Sequence, residues 1–169
     1  MKTRHHSRTA GLSALLLTLA FVLSSCSSAN TKEADVFSGT TWIASDGSEM
    51  VFSKDGILSW YREEGVHDGD LVEGPYEAYR GQKAYDFIVD HLLRYGITRK
   101  QLDELLSQEK LDDLVVYTLE HQKAIMDGES YGADNEVIHY FGFFYDDDSR
   151  MEILNTKTGT LYRFTKKQP

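Results

Sequence analysis

The sequence predicts a mainly β (α+β) fold: a small antiparallel β-barrel or sandwich of about eight strands, interrupted by a two-helix insertion. From Thr41 onward, most of the chain consists of short segments in which apolar and polar residues alternate, as in half-buried strands. Residues favoured in turns, mainly Gly, Asp and Asn, separate these segments. One stretch, at about residues 82–109, instead has apolar residues at the three- and four-residue spacing of an α-helix.

The first predicted elements are a strand around Trp42 and a β-hairpin that follows it. Residues 50–52 and 58–60 alternate between apolar and polar, and Lys54-Asp55-Gly56 between them supplies a turn with glycine where a positive φ is needed. Pro75–Arg80 is expected to be the next strand. We expect its proline at the start of the strand, where a missing N–H is least costly.

The helical insertion has the clearest pattern in the chain. One apolar stripe at helical spacing is formed by Ala84, Phe87, Ile88, His91, Leu92 and Tyr95. Gly96 is expected to end this helix in the left-handed conformation. Thr98 and Gln101 then form a capping box for a second helix, in which Ile97 can pack on Leu102. We expect the two helices to cover one open end or one face of the β structure.

The remaining predicted strands lie mostly in the C-terminal part of the chain. They are Asp113–His121, Val137–Tyr145, Arg150–Leu154 and Thr160–Lys166. The turn sequences Asp146–Ser149 and Asn155–Gly159 join the last three. Residues 122–136 have no clear periodicity and contain two glycines, so we interpret them as a long loop.

The N-terminus has the pattern of a bacterial export signal. Three basic residues, Lys2, Arg4 and Arg8, precede an apolar run from Leu12 to Leu23. This run is shorter than the roughly 20 residues of a membrane-spanning helix. We therefore predict that residues 1–25 are a removable signal peptide.

Leu23-Ser24-Ser25-Cys26 resembles the lipobox of bacterial lipoproteins. The resemblance implies lipid attachment to the Cys26 sulfur, cleavage before Cys26, and anchoring at the extracytoplasmic face of the cell membrane through two acyl chains. The alternative is an ordinary secretory signal with a chance cysteine. Cys26 is the only cysteine, so it cannot form an internal disulfide, which favours the lipobox. Residues 26–36 are small or polar and are expected to be a flexible tether before a domain at 37–169.

The composition excludes one class of partner. The chain has 18 Lys and Arg against 27 Asp and Glu. The predicted signal peptide contains basic residues but no Asp or Glu, so its removal would make the protein more acidic. Nucleic acid binding requires basic patches, and none is present apart from Lys166-Lys167. We therefore expect no nucleic acid partner.

Four segments resemble the lipocalin-like barrels, including small lipoproteins of Gram-positive bacteria. They are Gly39-Thr40-Thr41-Trp42, Asp46-Gly47-Ser48, Phe52–Trp60 and Leu161-Tyr162-Arg163-Phe164. The resemblance implies a barrel in which the first-strand Trp42 packs beneath Arg163 near the end of the chain. Lipocalin-like folds serve as carriers, enzymes or interaction modules, so the resemblance bears on fold more than on function.

Candidate chemistry is sparse. Of the histidines in the predicted domain, His121 and His139 lie on strand faces with apolar residues, and with His91 they could form a cluster that binds metal or moves protons. The spacing matches no metal-binding motif, and the alternative is that each is a buried, hydrogen-bonded histidine. The acids Asp146, Asp147 and Asp148, with Asp68, Asp70 and Glu73, match no calcium-binding loop and are interpreted as solvated turns. One predicted strand is rich in aromatic residues: Tyr140, Phe141, Phe143, Phe144 and Tyr145. Their rings lie on both faces of the strand, and one face must belong to the core. The other face is either a binding surface or is covered by the helices.

The sequence therefore predicts a noncatalytic, membrane-anchored binding or interaction module that needs no cofactor. Its expected partners are the membrane, through the lipid, and either a small apolar ligand or a surface protein. The alternatives are a cell-surface hydrolase or metal-dependent enzyme, which requires clustered histidines, and a carrier of a small apolar molecule, which requires a cavity of about 300 Å³ or more.

Overall fold

A computed structural model describes residues 35–132 and 135–168. Ten strands form one antiparallel sheet: β1 (Thr40–Ala44), β2 (Glu49–Phe52), β3 (Ile57–Tyr61), β4 (Leu71–Arg80), β5 (Leu114–Glu120), β6 (Lys123–Met126), β7 (Glu129–Tyr131), β8 (Val137–Tyr145), β9 (Arg150–Asn155) and β10 (Leu161–Lys166). Three short helices lie between β4 and β5: α1 (Gln82–Asp90), α2 (Leu92–Tyr95) and α3 (Arg99–Leu106).

Eight of the strands close into a barrel. Their order is β3-β2-β1-β10-β9-β8-β5-β4, and β4 also pairs with β3, which completes the ring. The prediction of a mainly β, lipocalin-like fold is confirmed, and the barrel rather than the sandwich is the form it takes. The remaining two strands, β6 and β7, form a hairpin that extends the sheet from β4.

The strand β4 begins earlier than predicted, so Pro75 lies in its middle and not at its start. The proline is tolerated because β4 changes neighbours at this point: Leu71–Glu73 pair with β6, whereas Tyr76–Arg80 pair with β5. The preceding Gly74 allows the change. A Cβ on Gly74 would lie 1.7 Å from the Glu120 carbonyl oxygen, so only glycine permits this approach of two backbones.

The prediction of a loop at residues 122–136 is wrong, because the segment contains the β6–β7 hairpin. Asp127 and Gly128 join the two strands and both have positive φ, at 51° and 75°. That combination is the two-residue turn whose twist matches paired strands, and Asp-Gly is one of its preferred sequences. The turn signal was therefore present, but neither flanking strand alternates: β6 has three apolar residues in a row and β7 is only three residues long.

The first predicted helix is divided in two at His91. The ring Nδ1 of His91 donates a hydrogen bond to the Phe87 carbonyl at 2.8 Å, while its backbone N–H bonds to Ile88. The side chain thereby satisfies the carbonyl that a continuing helix would use, which ends α1. Gly96 ends α2 with φ 63°, as predicted. The capping box of α3 is also confirmed, since Thr98 and Gln101 each bond the other's backbone N–H.

The domain has two hydrophobic cores, one inside the barrel and one outside it. Residues on alternate positions of β8 divide between them: Tyr140 and Phe144 point into the barrel, and Phe141 and Phe143 point outward. The outward rings pack with Ile88 of α1 and other helical residues. The helices therefore cover an outer face of the barrel, and the rings on that face form a second core.

The predicted signal peptide, the lipid-bearing Cys26 and most of the tether lie outside the described residues. No helix among the described residues is both long and apolar enough to cross a membrane.

Candidate functional site

The two ends of the barrel differ in how they are filled. At one end, Phe37 of the entering chain is fully buried and stacks on Phe52, with ring centroids 4.4 Å apart. The ring centroids of Trp42 and Phe144 lie 6.1 and 5.6 Å from that of Phe37. The Asp35 carboxylate accepts a hydrogen bond from the hydroxyl of Tyr76 and so secures the entering segment. Aromatic side chains therefore fill the barrel interior at this end, which we call the plugged end, and a cleft of about 670 Å³ beside Thr41 and Lys166 lies outside them.

The opposite end, which we call the mouth, is open and contains a pocket of about 740 Å³. It lies where β1, β3, β5 and β9 end and where β2, β4, β8 and β10 begin. The lining residues are Asp46, Ser48, Trp60, Arg62, Asp70, Leu71, Val72, Leu119, His121, Met126, Asp127, Tyr140, Asn155 and Tyr162. Pockets of this size accommodate small molecules, and such sites combine apolar walls with a few polar groups.

Three aromatic rings form the wall of the mouth. The Trp60 ring centroid is 4.9 Å from that of Tyr162, in an edge-to-face arrangement, and 5.8 Å from that of Tyr140. The indole Nε1 of Trp60 donates to the Ser48 hydroxyl at 3.0 Å, and that hydroxyl donates to the Asp46 carboxylate at 2.8 Å. The hydrogen-bond chain from Asp46 fixes the orientation of Trp60, so the ring is positioned before any ligand arrives.

Two side chains in the mouth, Tyr140 and Asn155, are nearly buried. In each, one hydrogen-bonding group has no partner among the described residues: the Tyr140 hydroxyl and the Asn155 Nδ2. Tyr140 is 3% exposed and Asn155 is 8% exposed. The amide oxygen of Asn155 accepts from the backbone N–H groups of Lys157 and Thr158, which leaves its Nδ2 as the unused donor. Among the described residues, every side-chain nitrogen or oxygen that is fully enclosed has a hydrogen-bond partner. The Tyr140 hydroxyl and the Asn155 Nδ2 have none, so they are not fully enclosed, and both residues line the pocket.

Because both atoms are accessible from the pocket, water or a ligand there can complete their hydrogen bonds. Burial raises the pKa of the Tyr140 hydroxyl above its ordinary range, so it is protonated at neutral pH and can donate as well as accept. The mouth thus offers two convergent hydrogen-bonding groups at its base and aromatic surface around them.

The rim of the mouth is charged. Arg62 forms ion pairs with Asp70 at 3.0 Å and Asp127 at 3.2 Å, which ties the β3–β4 loop to the β6–β7 hairpin. A further oxygen of Asp70 accepts from the Gly128 backbone N–H. Asp46 differs from these acids, because no lysine or arginine of the described residues forms an ion pair with it.

A buried carboxylate anchors the loop between β3 and β4. Glu49 is 2% exposed and accepts hydrogen bonds from the Gly65 backbone N–H, His67 Nε2 and Lys167 Nζ. Burial alone would raise the pKa of Glu49, but these donors outweigh burial and lower the pKa from its ordinary value. The ionised carboxylate therefore holds the loop, and with it Arg62, in place at the rim.

The structure brings together two of the predicted histidines, but not at the mouth. The rings of His91 and His139 lie 6.0 Å apart beneath the helices, on the outer face of the barrel. Both ring nitrogens of His139 have neighbours: the Tyr95 hydroxyl is 3.1 Å from Nδ1, and Arg94 Nη1 is 3.4 Å from Nε2. Burial, then the charge of Arg94 and the nearby His91, lower the pKa of His139. His139 is thus a neutral, hydrogen-bonded histidine of the outer core.

The other predicted sites are dispersed. His121 lines the mouth, remote from the His91 pair, and no three His, Cys, Asp or Glu side chains in the described ranges are grouped to hold a metal ion. Within the acidic turn, Asp148 forms a two-pronged ion pair with Arg80 and Asp146 pairs with Arg150. These contacts agree with the interpretation of Asp146, Asp147 and Asp148 as a turn. For Glu73 that interpretation is wrong, because Glu73 lies in β4, where its carboxylate accepts a hydrogen bond from Ser59.

Trp42 and Arg163 do not come together. Trp42 is fully buried in the barrel, whereas Arg163 is exposed on the outer face and pairs with Glu152. Successive side chains of a β-strand point to opposite faces of the sheet. Because Phe164 points into the barrel, its neighbour Arg163 points outward. The basic side chain over the Trp42 ring is instead Lys166, with its Nζ 5.6 Å from the ring centroid.

Sequence reasoning missed the mouth as a site. Its residues come from the ends of most of the strands and lie up to 116 positions apart, from Asp46 to Tyr162. The one available signal was the recurrence of aromatic residues near strand ends at Trp60 and Tyr162. Without the register of the strands, that recurrence does not separate a pocket from a core.

Comparison with known proteins gives no match: no family, no curated protein and no solved structure is significantly similar to this chain. The geometry of the mouth therefore carries the functional argument.

Proposed function

We propose that this protein is a noncatalytic binding module, anchored at the extracytoplasmic face of the cell membrane through lipid on Cys26, and that it binds a small molecule in the barrel mouth. The observation that carries the binding proposal is the pocket of about 740 Å³, with its aromatic wall and two nearly buried, unpartnered polar groups. Because both groups reach the pocket, water hydrogen-bonds them when the pocket is empty, and a ligand can replace that water. Leaving them open to a pocket is useful when a ligand completes their hydrogen bonds.

The anchoring part of the proposal rests on the sequence Leu23-Ser24-Ser25-Cys26. The chain enters the barrel at the plugged end, through Asp35 and Phe37, so the mouth is at the end opposite to the tether attachment. A tethered module of this form leaves its pocket accessible. Substitution Cys26→Ser is expected to release the protein from the membrane fraction, and continued retention of that variant would contradict the anchor.

The alternative of a hydrolase or metal-dependent enzyme has weaker support. The His91 and His139 pair lies in the outer core, and the neighbours of both His139 nitrogens are protein side chains. A general base needs a free nitrogen directed at a substrate site. The mouth, where a substrate has room, contains only His121 of the three candidate histidines.

Native mass spectrometry of the processed protein, purified gently from its own host in detergent micelles, tests the binding proposal. We expect a reproducible noncovalent added mass beyond that of the lipid on Cys26. It should be lost in Val72→Trp, which places a large ring in the mouth from β4, and retained in Leu161→Trp, an exposed position on β10 outside the pocket. Circular dichroism checks that both variants are folded. A bare protein mass for the wild type, or an added mass that survives in folded Val72→Trp, would refute binding at the mouth.

A further inference from the structure

The charges and rings of the mouth indicate the chemical class of its ligand. We propose that the ligand is a small organic cation with an apolar body and an oxygen acceptor, bound with its ammonium group between Asp46 and the rings of Trp60 and Tyr162. This inference rests on the proposed function, because it names the ligand of the same site.

The charges that line the mouth do not balance. Three carboxylates line it, those of Asp46, Asp70 and Asp127, against one arginine, Arg62. Arg62 is already committed to Asp70 and Asp127 through its two ion pairs. Asp46 is left as the carboxylate without a cationic partner among the described residues, so a positive group on the ligand would find a compensating charge there.

Asp46 lines the mouth together with the aromatic rings of Trp60 and Tyr162. The negative face of an aromatic ring attracts cations, most strongly for tryptophan, and aromatic cages bind substituted ammonium groups. Trp60 and Tyr162 meet at about a right angle, with an interplanar angle of 72°, so they form a corner rather than a flat stack. Burial and the charge of Asp46 both raise the pKa of the Tyr162 hydroxyl, which is consistent with a carboxylate close to this corner.

The polar groups of Asn155 and Tyr140 set a hydrogen-bonding requirement for the ligand. The unused group of Asn155 is an N–H donor, since its carbonyl oxygen already accepts two bonds. A ligand that satisfies it must therefore carry an acceptor, such as a hydroxyl, ether or carbonyl oxygen. Tyr140, which is stacked on Tyr117 at 4.6 Å, can donate to the same acceptor or accept from the ligand. The pocket volume suits a molecule that spans from these two groups to Asp46.

A titration with three compounds of matched shape tests the ligand class. The probes all carry an ether oxygen: 2-phenoxyethyltrimethylammonium, its neutral carbon analogue (3,3-dimethylbutoxy)benzene, and the anion 2-phenoxyethanesulfonate. Binding to the full chain in nonionic detergent micelles is followed by tryptophan fluorescence, since Trp60 is in the mouth and Trp42 is buried at the plugged end. The variant Trp60→Phe should abolish the signal.

The decisive variant is Asp46→Asn, which removes the charge but keeps an oxygen that can accept from Ser48. Its matched control is Asp55→Asn, in the exposed β2–β3 turn at the plugged end. Comparison between variants cancels the partition of each probe into the micelles. We expect Asp46→Asn to weaken binding of the cation about tenfold, as befits loss of a partly screened charge pair, and to leave binding of the neutral analogue unchanged. Asp55→Asn should behave as the wild type.

Equal affinity of the cation in Asp46→Asn and wild type, or tighter binding of the anion than the cation, would overturn the inference. Failure of all three probes to bind would overturn it as well. After any of these results, native mass spectrometry can still show that the mouth binds a ligand of another class. The proposed ligand class and the proposed binding function are therefore tested separately.

Discussion

Gly142 shows how much the barrel depends on a single missing side chain. It lies in the middle of β8, opposite Ile153 of β9. A Cβ there would lie 1.8 Å from the Glu152 carbonyl oxygen, well inside van der Waals contact. The obstructing atom belongs to backbone, so it cannot move aside as a side chain can.

We therefore predict that Gly142→Ala lowers the free energy of unfolding by about 3 kcal/mol or more, because backbone overlap must separate β8 from β9. Gly132→Ala is the control, since Gly132 has open space at the Cβ position. It should change stability by less than about 0.5 kcal/mol. Urea unfolding followed by circular dichroism measures both values, and equal stabilities of the two variants would show that β8 and β9 are not packed in this register.

His139 gives the outer core a dependence on pH. Burial, Arg94 and His91 lower its folded-state pKa below the ordinary 6.5, so the unfolded chain binds the proton more readily. Its contribution to stability is fully present above pH 6.5 and is lost as the pH falls toward the folded-state pKa. The charged and titratable groups that face it are Arg94, His91 and Tyr95.

We expect the free energy of unfolding to fall by on the order of 1 kcal/mol between pH 7.5 and pH 5.0 because of this residue. His139→Gln keeps a hydrogen-bonding side chain but does not titrate, so it should lose less stability over the same interval. Glu49, whose pKa is lowered from 4.5 on folding, keeps its contribution to stability above pH 4.5 and loses it only at more acidic pH, outside this interval. Parallel losses in wild type and His139→Gln would contradict the assignment.

At the scale of elements, the β6–β7 hairpin is the least supported part of the sheet. It pairs with β4 through only three residues, Leu71–Glu73, and β7 has a single neighbour. It nevertheless contributes Met126 and Asp127 to the mouth. Elements with few buried contacts open more readily than core strands, so the hairpin should be the most dynamic wall of the site.

We predict that backbone amides in β6 and β7 exchange with solvent faster than those in β5 and β8, and that Gly128→Ala accelerates exchange in the hairpin alone. The turn requires φ 75° at Gly128, which alanine adopts at a cost of about 1 kcal/mol. Hydrogen exchange measured by mass spectrometry on peptides covering each strand checks this. Uniform acceleration across the barrel would show instead that the hairpin unfolds only with the whole domain.

The elements also show what sequence can predict here. Alternation and capping residues predicted the barrel strands and the start of α3, because both patterns depend on neighbours within about four positions. The break at His91 was not predictable from the apolar stripe, since a side chain competing for the Phe87 carbonyl leaves that stripe intact. The mouth was less predictable still, because it depends on which strand ends meet around the ring.

At the scale of the whole molecule, the two ends of the barrel have different roles in this account: one end stabilises the fold and the other binds a ligand. The plugged end contains the stacked rings of Phe37 and Phe52 and supplies the packed core. The mouth keeps its aromatic wall and two polar groups, Tyr140 and Asn155, open to a pocket. Closing one end and fixing the rim through Arg62 and Glu49 produces a pre-formed pocket, which lowers the ordering cost of binding.

The most direct test of this account is a crystal structure of the protein purified from its own host, without added ligand, at a resolution that shows bound molecules. We predict density for a non-protein molecule in the mouth, within hydrogen-bonding distance of the Tyr140 hydroxyl and the Asn155 Nδ2. A mouth that contains only water, or one in which protein groups satisfy both atoms, would contradict the central claim that this barrel is a binding module.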